Sequence, residues 1–142
     1  MKKKDTNELM DELIQSDNTD EYYSKNAQFM VNDKISIYLN NILENKGLVK
    51  SKIIKKTELS EVQCYQIFDG RRKPSRDSLL SICIAMELSL DETQQILKAG
   101  GFAPLYPKNQ RDVIIIKGIH NNLSVAQINE RLYDLDLPTI NS

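Results

Sequence analysis

The side chains best suited to chemistry in this chain are its cations, because they are gathered rather than spread. Positions 46–76 hold nine positive residues (Lys46, Lys50, Lys52, Lys55, Lys56, Arg71, Arg72, Lys73, Arg76) against Glu58, Glu61 and Asp69, a local net of +6, although the whole chain stands at −1. Residues 1–32 run the other way, with four positive and seven negative charges. A basic run of this kind offers contact with a polyanion, and standing alone it serves as readily as a solvated face. Catalytic sets are weaker. Cys64 and Cys83 fall in helical patterns, where a lone cysteine behaves as a small hydrophobe, and two cysteines without further ligands make no zinc set. His120, the only histidine, lies beside Asn121 and Asn122 at a helix end, and with Tyr106 and Asp112 it makes too thin a constellation for an active site. There is no phosphate-binding glycine loop. The expectation is a protein that is not an enzyme and holds no metal or cofactor.

The elements that must carry these residues read as helices throughout. At 142 residues and 40% apolar, the chain can bury one ordinary core. Leu9, Met10, Leu13 and Ile14, with Thr6 as N-cap, predict a short amphipathic helix, followed by the acidic linker SDNTDEYYSKN. Ile35, Ile37, Tyr38, Ile42 and Leu43 predict a helix that ends at Gly47, a residue suited to the left-handed terminal position. Ile53 and Ile54 lie on a lysine-rich helix that breaks at Thr57-Glu58-Leu59. Ser60-x-x-Gln63 fits a capping box opening the next helix, which stops at Gly70. Pro74 and Ser75 open a helix through Met86; Ser89-x-x-Glu92 caps another, ended by Gly100-Gly101; FAPLYP is a turn. Arg111–Ile119 and a helix capped by Ser124-x-x-Gln127 close the chain as a helical hairpin. Val113–Ile116 has strand composition but no partner strand, so helix is expected. The division is 1–32, an acidic helix and linker; 33–107, the main helical domain; and 108–142, the hairpin packed on it. No run approaches the ~18 apolar residues of a membrane span, and the start lacks the apolar core and cleavage site of a signal peptide. A cytoplasmic protein without membrane contact is expected.

Gly47-Leu48, Ile53-Ile54-Lys55-Lys56-Thr57, Leu59-Ser60, Ile67, Gly70, Arg72-Lys73-Pro74-Ser75, Leu79-Leu80 and Ile82 together resemble the Xre/Cro-type helix-turn-helix family of phage-repressor-like regulators. The resemblance covers roughly residues 35–95 and is most specific in its G-x-R-K-P-S turn and hydrophobic register. It implies an all-α, compact multi-helix domain whose second motif helix enters the major groove of double-stranded DNA. Carried over by position, Glu61, Val62, Gln63 and Gln66 would read bases: glutamine pairs with adenine, a carboxylate accepts from cytosine N4, and valine packs on a thymine methyl. Lys50, Ser60, Arg71, Arg72 and Lys73 would contact phosphates, which position the protein without specifying sequence. The same resemblance implies a homodimer.

Three residues depart from the pattern at the motif itself. Asp69 puts a carboxylate where a neutral phosphate-contacting residue is common, Val49 replaces a polar N-cap, and Glu58 stands where the inter-helix turn commonly has glycine. A buried arginine–glutamate pair of many relatives becomes Leu43 and Phe68, which removes its desolvation cost and predicts an apolar contact. The expected function is a sequence-specific DNA-binding transcriptional regulator. The alternative is an adaptor or antagonist of the same fold that acts on a protein through the N-terminal helix or the Phe102–Pro107 loop, without DNA.

Overall fold

The computed structural model describes residues 35–140 and Met10, which is helical and exposed; the rest of the expected N-terminal helix and its linker lie outside the described residues. The chain divides into two units, 1–34 and 35–142, and the fold below is that of the second. Its described residues form seven α-helices and no strand: α1 (Ile35–Asn45), α2 (Lys50–Lys56), α3 (Glu61–Phe68), α4 (Arg76–Ala85), α5 (Leu90–Ala99), α6 (Gln110–His120) and α7 (Val125–Asp134). Val113–Ile116 is helical, with Asp112, Ile115 and Ile119 turned inward at helical spacing.

Both ends of these helices follow from side-chain type. Ser60, Ser75, Ser89, Asn109 and Ser124 each accept from the backbone N–H three residues on, satisfying a donor the helix itself leaves open. The boxes at Ser89/Glu92 and Ser124/Gln127 are complete. At the other end, α1, α3 and α5 close through a left-handed Gly47, Gly70 and Gly101, while α4, α6 and α7 close through Glu87, Asn122 and Asp136 with φ of 56–57°. In each the next N–H folds back to the carbonyl five residues earlier, as in Arg71 to Gln66 at 2.9 Å. The exception is α2. Thr57 is extended, and its hydroxyl donates to the Ile54 carbonyl at 2.7 Å, so the chain leaves α2 straight rather than through a left-handed residue. Glu58 therefore carries no left-handed strain, and the turn is altered so that it does not need the glycine common at this position.

The core sits around α4, whose residues Ser78–Ala85 are all buried. Helices α2, α5 and α7 pack against it, α1 lies on α3 and α5, and α6 pairs with α7 and touches α5. Two ion pairs tie the hairpin to the start of α4 in a reciprocal exchange: Arg76 to Asp112 at 3.0 Å and Arg111 to Asp77 at 2.8 Å. Asp112 is 5% exposed and also accepts from the Tyr106 N–H at 3.0 Å. The helices α6 and α7 approach so closely that a Cβ on Gly118 would lie 2.4 Å from Ile128 Cγ1. No helix among the described residues is long and apolar enough to cross a membrane.

Candidate nucleic-acid interface

Helix α3 is short, and its roll about its own axis decides which side chains face outward. Cys64, Ile67 and Phe68 are buried, which turns Glu61 and Val62 out to solvent; Val62 is 66% exposed although apolar. Asn40 of α1 clamps the far end by donating to the Phe68 carbonyl at 2.8 Å. Leu43 and Phe68 both lie in the buried core, 5% and 2% exposed. Lys50, at the start of α2, rests its ammonium 5.3 Å from the centre of the Phe68 ring, a cation–π contact that brings this cation beside the end of α3.

The outward face of α3 closes with the turn behind it around an open concavity of about 340 Å³ lined by Glu61, Val62, Tyr65, Gln66 and Arg71. Gly70 produces this arrangement: its φ of +80° reverses the chain, and the N–H groups of Arg71 and Arg72 both donate to the Gln66 carbonyl. The Arg72 side chain then donates through Nε to Gln66 Oε1 at 2.9 Å, and Arg71 pairs with Asp69 at 2.8 Å. Lys73 stands exposed beyond them. Asp69 thus spends its charge on its own neighbour.

The structure separates the expected base-reading residues into two groups. Glu61, Val62 and Gln66 share the outward face. Gln63 is half-buried, and its amide donates to Ser78 Oγ at 3.2 Å instead of returning to the backbone of Ser60, so the expected capping box is only half formed. The reason is tertiary: α4 brings the Ser75–Ser78 hydroxyl pair, 2.8 Å apart, against the first turn of α3, and the amide finds a partner there. Ser75 is expected from the sequence only as a helix start, and Ser78 is a residue sequence reasoning missed; a Ser-x-x-Ser spacing is the only local trace of the pair. Ser60 remains exposed, its hydroxyl accepting from Gln63 N–H at 3.1 Å. Val49 caps α2 with no side-chain hydrogen bond.

Other expected contact residues are differently placed. Within the Phe102–Pro107 loop, Leu105 is in the core and both its backbone groups pair with the Gln94 amide, at 2.8 and 2.9 Å, leaving Tyr106 as the exposed aromatic. Cys64 and Cys83 are free thiols, and burial pushes both above the usual thiol range. No group of three or more His, Cys, Asp or Glu side chains able to hold a metal occurs among the described residues. The chain matches no protein-family model, no curated protein and no solved structure.

Proposed function

We propose that this protein is a sequence-specific DNA-binding regulator of the Xre/Cro type, with α3 lying in the major groove and the chain acting as a homodimer. The observation that carries the reading is the outward face of α3, where exposed Glu61 and Val62 and half-buried Gln66 line one concavity beside the exposed Arg71–Lys73 turn. An exposed valine between a carboxylate and an amide suits a surface that meets base edges, whose methyl, acceptor and donor groups these three types match. Lys50 and Arg71–Lys73, gathered at the Phe68 end of the helix, supply sequence-independent attraction to phosphates.

Selection of duplexes from a random library by the full chain, with its mass measured in solution, tests this. A palindromic site with half-sites ~34–36 Å apart, bound by a dimer, is the expected outcome. Lys73→Ala should weaken binding to every duplex and flatten the salt dependence by about one unit. No enriched sequence at moderate salt would overturn the reading and turn attention to the adaptor alternative, which the exposed Tyr106 and Val49 support.

A further inference from the structure

The hydrogen bond between Arg72 and Gln66 changes what this surface can read. A free glutamine amide matches adenine because it offers one donor and one acceptor to the N7 and N6 groups of that base. Here one lone pair of the Gln66 side-chain oxygen is taken by Arg72 Nε–H at 2.9 Å. The guanidinium beside it carries a positive charge that opposes an approaching adenine amino group. The hydrogen-bonding groups this pair leaves open are mostly donors, namely the Gln66 NH₂ and the terminal N–H groups of Arg72. A pair weighted towards donors complements the guanine edge, which presents the acceptors N7 and O6 and no donor in the major groove.

Resting on the DNA-binding reading above, we propose that Gln66 and Arg72 act as one composite reader, specific for guanine, assembled by the reversal of the chain at Gly70. The reversal matters because it sets Arg72 in place before DNA arrives. Both the Arg71 and Arg72 N–H groups donate to the Gln66 carbonyl, at 2.9 and 3.2 Å, so the backbone that carries the arginine is anchored on the residue it pairs with. Arg71 lines the same concavity but is paired with Asp69 at 2.8 Å, which leaves Arg72 as the arginine hydrogen-bonded to Gln66. An arginine fixed in this way loses less side-chain freedom on binding than one recruited from solvent.

The test is duplex selection with the full-length wild type, Gln66→Ala and Arg72→Ala, followed by binding to duplexes that differ only at the base pair whose preference Gln66→Ala alters. The wild type should prefer guanine over adenine there by about 5- to 150-fold, the range of a good bidentate pair. Arg72→Ala frees the Gln66 side-chain oxygen and removes the guanidinium charge, so its preference should move to adenine, while the rest of the site stays the same. Thermal unfolding of each variant checks that these substitutions leave the fold intact. An enriched site with adenine at that position in the wild type, or a preference that Arg72→Ala leaves at guanine, would overturn the composite reader while sparing the DNA-binding function. Failure of the wild type to enrich any sequence would sink both.

Discussion

Replacing Gly118 with alanine sets two opposing effects against each other, and the structure says which wins. In the middle of a helix, alanine is favoured over glycine by about 1 kcal/mol, because glycine loses more backbone freedom on folding. Against this, the new Cβ would lie 2.4 Å from Cγ1 and 2.6 Å from Cδ1 of Ile128, where ordinary contact begins at 3.4 Å. Ile128 must retreat by about 1 Å, and it is 0% exposed on α7, so it has no open side to retreat into. Cγ1 is one bond from the branch point, so rotation of a flexible tip does not relieve the clash. Overpacking of this kind costs about 1–3 kcal/mol. With Cγ1 involved, we take the upper half of that range, giving a net loss of about 1–2 kcal/mol. Urea unfolding should show a lower midpoint at unchanged slope. A double-mutant cycle isolates the cause. Ile128→Ala alone should cost about 2–5 kcal/mol, but in the Gly118→Ala background it also removes both clashing atoms, so the two losses should fall short of additivity by about 1 kcal/mol or more. A Gly118→Ala protein more stable than wild type, with additive losses, would refute the close approach of α6 and α7.

Three further outcomes follow from particular contacts. Asp112→Ala leaves Arg76, 24% exposed at its side chain, without its carboxylate and the Tyr106 N–H without its acceptor, for a loss of about 2–3 kcal/mol in the same unfolding assay; the remaining Ala103 and Pro104 carbonyl partners of Arg76 keep it below the full cost of a broken buried pair. The Ser89 N–H, with help from Lys46, holds the Glu92 carboxyl below its ordinary value of 4.5, so its contribution is complete above that value and is lost as pH falls through the lower folded-state value. Stability profiles from pH ~6 to ~3 should therefore converge for wild type and Glu92→Gln, and parallel profiles would contradict the assignment. On the proposed DNA-binding reading, Asp69→Asn should release Arg71 from its 2.8 Å partner and remove a negative charge that would oppose phosphates, raising affinity for all duplexes by several-fold at low salt, an advantage that shrinks as salt rises.

Helix number and ends were legible in the sequence because caps and reversals are local chemistry. Ser89-x-x-Glu92 and Ser124-x-x-Gln127 need only four consecutive residues to satisfy open N–H groups, and both formed as their spacing predicts. Gly47, Gly70 and Gly101 likewise mark left-handed reversals that depend on one residue each. The same spacing at Ser60-x-x-Gln63 predicted a full box and produced half of one, since the amide had a choice of partners and donates to Ser78 of α4. Pairing between Arg76-Asp77 and Arg111-Asp112 was equally hidden: charge types are visible in a sequence, but which cation meets which carboxylate across some 35 positions depends on how α4 and α6 pack.

By itself, then, the sequence determined an all-helical chain, where most of its helices begin and end, and where its positive charge lies. Only the tertiary structure decided what those charges face. It turned Gln63 inward, paired Arg71 with Asp69, and set Arg72 on Gln66 beside an exposed Val62. The physical reason is range. A cap or a left-handed reversal is settled within one helical turn, whereas the roll of α3, and with it the identity of its outward face, is settled by Asn40 of α1 and Ser78 of α4, at sequence separations of 28 and 15 residues.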